Sequence, residues 1–131
     1  MGYLLDTCIV IEILNGSDFI QGKVSEVGLD KCFTCDIVLA ELFVGPFKTQ
    51  NPRHLAQAQW VERRFVSLPF HESFKTYARI HAQLESKGQK LDNMDMLIAS
   101  IAIDNDLTLA TRNSKHFDRI PGLKIEVWGP V

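Results

Sequence analysis

The chain has 131 residues, 46% of them apolar and 23% charged, with a formal net charge of −2. These are the proportions of an ordinary globular protein, long enough for one substantial core, and residues 1–131 are read as a single domain. The near-neutral balance excludes binding to polyanions through bulk charge, and no apolar run approaches the roughly 20 residues that cross a bilayer, so no membrane contact is expected.

In chain order, "YLLDTCIVIEIL" begins as a short strand (2–5) and turns into a helical pattern, which "NGSD" (15–18) closes. No basic region with a small-residue cleavage site precedes it, so no signal peptide is expected. Residues 19–27 read as a short helix and "CFTC" (32–35) as a second strand. Asp36 reads as the N-cap of the next helix, "IVLAELFVG", with Gly45-Pro46 as its stop. The polar loop "KTQNP" leads to a helix over 53–65, with Leu55, Ala56, Trp60 and Phe65 on one face. A third strand follows at 66–70, with Pro69 marking its end or a sheet edge. The helix over 72–88 places Phe74, Tyr77, Ala78, His81 and Leu84 at helical spacing and ends in Lys87-Gly88. A helix over 92–105, a strand "LTLAT" (107–111) and a last strand "KIEVW" (124–128) complete the chain. This alternation predicts an α/β fold, a three-layer α/β/α sandwich on a small, mainly parallel sheet.

The three cysteines, Cys8, Cys32 and Cys35, are odd in number and lie among apolar neighbours. That pattern predicts reduced, buried thiols and a cytoplasmic location. Cys32 and Cys35 form a C-x-x-C without the second ligand pair a zinc site needs, and on a strand rather than at a helix start, so their role reads as structural.

Ligands of open parallel sheets sit beyond the carboxyl ends of the strands, and Asp6 falls at the end of the first strand, with the Thr7 hydroxyl beside it. Three further polar residues stand against apolar sequence: Glu41 in "LAELFVG", Asp95 in "NMDMLIASIA", and Asn113 after "LTLAT". Each has a plain structural reading. Asp6 suits a helix cap, Glu41 a solvated helix face, Asp92 or Asn93 the cap beside Asp95, and Asn113 a turn. Together they point to one cleft in which repelling carboxylates need a cation. Hard oxygen donors without His or Cys favour Mg2+ or Mn2+, which can activate water against a phosphate.

The stretches "LLDTCIVIE", "IVLAELFVG" and "DMLIASIAIDNDLTLATRNSKHFDRIPGLKIEVW" resemble, in order and over essentially the whole chain, the PIN-domain ribonucleases and specifically the VapC toxins of bacterial toxin–antitoxin modules. The resemblance implies a PIN-like fold and an Mg2+- or Mn2+-dependent endoribonuclease. Asp6, Glu41 and Asp95 fall on the family's acids and would hold the metal. Asn113 takes a fourth position that is often aspartate, which puts a second metal in doubt. It also implies in-line attack by metal-activated water, leaving a 5′-phosphate and a 3′-hydroxyl, and a homodimer blocked by a cognate antitoxin. Asp36, where such sequences often carry serine, reads as a cap alone. Arg112 and Lys115 flank Asn113 and are candidate contacts to RNA phosphates, with Thr7 as a further substrate-binding candidate and Lys48 and Arg53 as weaker ones. "SKHFDRIPGL" reads as a turn packed down through Phe117, Ile120 and Leu123, which gives His116 a structural or dimer-interface role.

Two alternatives stand beside the toxin reading. One is a catalytically weak PIN domain that binds RNA or protein; the other is a PIN nuclease of RNA processing without an antitoxin. A phosphate-transfer enzyme of another α/β fold would want a second acid two residues after the first, or a glycine-rich loop with lysine, and "DTCIV" has neither.

Overall fold

Strand β1 (Tyr3–Leu5) lies at the centre of a five-stranded sheet, where Leu4 and Leu5 are completely buried on its two faces. The structure is a computed structural model and describes residues 1–129. On one side β1 pairs with β2 (Cys32–Cys35), which pairs with β3 (Val66–Leu68); on the other it pairs with β4 (Thr108–Thr111), which pairs with β5 (Lys124–Val127). Every pair is parallel and the order is β3-β2-β1-β4-β5.

Parallel strands need crossovers, and seven helices among the described residues supply them. α1 (Thr7–Leu14) and α2 (Asp18–Val27) connect β1 to β2, and α3 (Asp36–Thr49) and α4 (Pro52–Arg64) connect β2 to β3. The chain then returns past β1 through α5 (Phe74–Ser86) and α6 (Asn93–Asp104) to β4, and the single turn α7 (Ser114–Phe117) leads to β5. Right-handed crossovers running first one way and then the other place the two helix series on opposite faces of the sheet. This is the expected three-layer sandwich. The order reverses between β1 and β4, so the crevice at their carboxyl ends is the switch point of the fold.

The core is continuous through the sheet. Leu4, Leu5, Ile9, Val10, Ile98, Ile101, Leu109, Phe117 and Trp128 are all at most 1% exposed. α6 is the most deeply set helix, burying Met96, Ile98, Ala99, Ser100, Ile101 and Ala102, and its alanines allow close approach to neighbouring backbone. Thr76 of α5 donates to the Asp104 carboxylate at 2.7 Å and pins the end of α6.

Local chemistry departs from the sequence reading in several places. Gly45-Pro46 does not stop α3, which runs on to Thr49 and ends where Gln50 turns left-handed at φ 56°. Proline's fixed φ is helical, so its penalty is one lost hydrogen bond and local crowding; here the ring is buried as α3 packs on α4. Asp36 is not the cap of α3. Cys35 holds that position, and Asp36 in the first turn accepts the Phe70 backbone N–H at 3.0 Å, tying the ends of β2 and β3 together. The buried stripes of α4 and α5 are Ala58, Val61 and Phe65, and Thr76, Ile80 and Leu84; Trp60 and Phe74 are instead 41% and 56% exposed. Both helices carry apolar residues on more than one face, and periodicity alone does not choose between them. "SKHF" is one helical turn, and β5 ends at Val127 so that Trp128 turns inward.

Cys32 and Cys35 are free and buried, and burial pushes their thiols up to about 11 and about 12. Both stay protonated at neutral pH, in keeping with a packing role. Among the described residues no helix is long and apolar enough to cross a membrane.

Trp128 is fully buried, packs tilted against Tyr3 with ring centres 5.2 Å apart and donates its indole N–H to Glu126 at 2.5 Å. Trp128→Ala is expected to lower unfolding stability by about 3–5 kcal/mol, read from the urea midpoint at unchanged slope.

Candidate active site

Asp6 follows β1 and opens α1, so it stands at the switch point by chain geometry alone. Its backbone N–H donates to the Ala110 carbonyl at 2.9 Å, extending the β1–β4 ladder by one bond. The carboxylate is only 7% exposed. One oxygen accepts the Thr7 N–H at 2.8 Å, and the other accepts the Thr111 hydroxyl at 2.7 Å, with the Cys8 thiol 3.4 Å away. Among the described residues no positive side chain pairs with it; hydrogen bonds and the N-terminus of α1 compensate it. The capping and site readings of Asp6 therefore describe one arrangement.

Thr7 carries the arrangement onward. Its hydroxyl donates to Glu41 Oε1 at 2.7 Å, linking the start of α1 to the second turn of α3. The candidate substrate contact Thr7 is thus already engaged in fixing an acid. Asp95 enters from the first turn of α6, whose cap is Asp92: the Asp92 carboxylate accepts the Met94 N–H at 2.8 Å. The Asp95 carboxyl is pushed up to about 6, first by burial, then by the negative charges of Asp6 and Asp92 and more weakly Glu41; His116 opposes the shift. Four carboxylates from three elements thus share one crevice, and among the described residues no lysine or arginine pairs with any of them.

Asn113 follows β4. Its backbone N–H donates to the Thr111 hydroxyl at 3.1 Å, and its amide nitrogen lies 3.2 Å from His116 Nε2. His116 sits on the turn for which the sequence reading gave it a structural or dimer-interface role. Phe117 and Ile120 do pack down, at 1% and 4% exposure, but the imidazole points outward, 3.4 Å from Asp95 Oδ2. Arg112 is also not free for substrate: its guanidinium donates to Glu12 of α1 at 2.7 Å. That pair is partly exposed, so opening it costs about 1 kcal/mol or less. Lys115 is exposed on α7 beside the crevice. Thr111 and Cys8 are site residues that the sequence reading missed. The rule that selected Asp6, the end of a strand at the sheet's carboxyl edge, selects Thr111 as well.

Among the described residues no three His, Cys, Asp or Glu side chains stand, as placed, where together they could hold a metal ion. The donor chemistry is nonetheless that of a hard cation, because all the site acids offer oxygen, and burial first and their mutual repulsion second lift Asp95. Magnesium suits such an open set, since it retains several waters and takes one or two carboxylates directly.

A raised carboxyl pKa means that the folded state holds the Asp95 proton more tightly than the unfolded chain does. Ionising Asp95 therefore destabilises the fold progressively as pH rises from about 4 to about 6. Asp95→Asn is expected to raise stability by about 1–2 kcal/mol at pH 7.5, discounted for partial exposure. The gain should shrink toward zero as pH falls to about 4, as followed by thermal melts across that range.

A family model described as the PIN domain matches residues 3–123. The chain is 35% identical to Ribonuclease VapC1 of Rickettsia felis, covering 95% of each chain. It is 28% identical to the tRNA(fMet)-specific endonuclease VapC of Shigella flexneri, covering 96% of this chain and 97% of that one. Among solved structures, VapBC2 from Rickettsia felis bound to a promoter DNA fragment matches with a TM-score of 0.90 at 31% identity, over 98% of this chain and 100% of the other. VapBC from Salmonella typhimurium, also bound to DNA, matches with a TM-score of 0.90 at 30% identity, over 98% and 99% of the two chains. With the all-parallel sheet and the acids at its switch point already in place, these matches establish that the chain belongs to the PIN-domain family, in its VapC group.

Proposed function

We propose that this chain is a divalent-metal-dependent endoribonuclease, the toxin of a toxin–antitoxin pair, acting as a single domain over residues 1–131. The observation that carries the reading is the set of carboxylates Asp6, Glu41 and Asp95, drawn from α1, α3 and α6 to one crevice in a chain similar over its length to VapC ribonucleases. Asp6, Glu41 and Asp95 would hold Mg2+ or Mn2+, directly or through water. The ion, when bound, activates water toward phosphorus and offsets charge that develops on the phosphate.

The chain's own residues do the orienting. Thr111 and the Thr7 amide hold both oxygens of Asp6, and the Thr7 hydroxyl holds Glu41, so two acids are set before substrate arrives. Asn113 presents an uncharged amide at the mouth, suited to a water or a phosphate oxygen. Lys115 offers a cation to the RNA backbone, and Arg112 does so once its pair with Glu12 opens. Such contacts position RNA without reading its sequence.

An antitoxin partner is supported by the VapBC complexes among the structural matches. A groove of about 640 Å3 between α1, α2 and α4 suits part of it, with Ile13, Leu14, Val24 and Trp60 as its apolar wall and Arg53 and Arg64 as its cations. Arg53, a weaker substrate candidate from the sequence, fits this groove better than the crevice. α1 runs from Asp6 to that groove, about 12 Å over eight residues, so a partner seated there lies close to the acids. A homodimer fits the exposed Val44 and Phe47 on α3, and three free thiols fit a reducing cytoplasm.

Labelled RNA incubated with Mg2+ or Mn2+ should be cleaved, and EDTA should abolish cleavage. Asp6→Ala and Asp95→Ala should each reduce the rate about a hundredfold or more, the several kcal/mol of lost charge stabilisation. Equal cleavage by all three proteins would assign the activity to a contaminant and end the reading.

A further inference from the structure

Each of the acids Asp6, Glu41 and Asp95 needs something to hold its rotamer, and two of these three have a short hydrogen bond that does so. Asp6 is fixed by Thr7 and Thr111, and Glu41 by the Thr7 hydroxyl. Among the described residues Asp95 receives no hydrogen bond from either threonine; the polar side chain against it is His116, with Nδ1 3.4 Å from Asp95 Oδ2. The imidazole is itself held. The His116 backbone N–H donates to the Asn113 carbonyl at 3.3 Å, and the buried Phe117 and Ile120 anchor the turn that carries it. The Asn113 amide nitrogen, which can only donate, lies 3.2 Å from Nε2 and 3.5 Å from Nδ1, so its shorter contact is with Nε2. An acceptor Nε2 leaves the ring proton on Nδ1, the nitrogen that faces Asp95.

From the contact of Nδ1 with Asp95 and of Nε2 with Asn113, we infer that His116 is a positioning residue that orients the Asp95 carboxylate, with Asn113 setting its tautomer. The 3.4 Å separation is a long contact that a small side-chain rotation closes to a hydrogen bond. His116 then does for the acid of α6 what Thr7 and Thr111 do for those of α1 and α3. The uncharged Asn113 acquires a definite task that an aspartate there would not perform, since a carboxylate would accept from Nε2–H and leave Nδ1 without the proton that faces Asp95. Supporting groups of this kind typically change metal affinity or activity about 10–100-fold when removed. The inference depends on the nuclease reading only for its consequences on metal binding and cleavage, and the orientation itself is measurable without metal.

Three proteins test it: the wild type, His116→Ala, and His116→Asn, whose amide N–H takes the place of the imidazole Nδ1–H. Three-bond couplings to Asp95 Cγ in metal-free protein report its rotamer. One rotamer is expected in the wild type and in His116→Asn, and averaging in His116→Ala. Mn2+ titration should show about tenfold to a hundredfold weaker binding in the alanine variant and substantial recovery with asparagine. Turnover of RNA should fall in parallel, with KM within about twofold. His116 is largely exposed, so all three should fold alike, checked by their melts. Identical couplings in His116→Ala and the wild type would overturn the inference, as would an asparagine variant no better than alanine. A loss confined to KM would overturn it in favour of a direct RNA contact. Rotamer averaging in His116→Ala, together with neither Mn2+ binding nor cleavage by the wild type, would leave the positioning role standing and remove the nuclease reading.

Discussion

The hydrogen bond from the Thr111 hydroxyl to the Asp6 carboxylate joins the ends of β4 and β1 where the strand order reverses. It supports a buried negative charge with which no cation pairs among the described residues, and it does so from a threonine that is itself completely buried. The same carboxylate opens α1 through the Thr7 amide, and the Thr7 hydroxyl fixes Glu41 on α3. Three elements are thereby tied to one acid. Because charged acceptors make the stronger hydrogen bonds, this short chain is both the local architecture of the crevice and its preorganisation.

Asp95 supplies the opposing tendency. Its backbone is set on α6, the helix most firmly embedded in the core, so the start of that helix, with Asp92 as its cap, cannot withdraw from Asp6 without disturbing Ile98 and Ile101. Packing thus holds together charges that electrostatics would separate. A fold stabilised by its large core can tolerate such a site, and the unfavourable charge is what a hard cation would relieve.

Much of this was legible in the residues. Alternating strands and helices identified an α/β sandwich, and Asp6, Glu41 and Asp95 stood out because each is an acid in otherwise apolar sequence. Thr111 escaped notice because threonine at the end of a strand is unremarkable by propensity; only its burial against Asp6 reveals its role. Pro46 misled because the rule that proline ends helices concerns its missing N–H, whereas packing of α3 on α4 decides the outcome at this position. The contact of His116 with Asp95 escaped notice because the two stand on different helices, and only the anchoring of Phe117 turns the adjacent ring toward the acid. Arg112 looked free because Glu12 lies 100 residues away in sequence.

The sequence by itself determined the class of fold, the positions of most elements and the three acids, since these follow from hydrophobic periodicity, turn chemistry and the cost of placing a charge among apolar residues. Tertiary structure alone decided the order β3-β2-β1-β4-β5, the partners of each acid and the ion pair that occupies Arg112. Those depend on contacts between residues distant along the chain, where a few ångströms separate a hydrogen bond from no interaction and no local pattern records the distance.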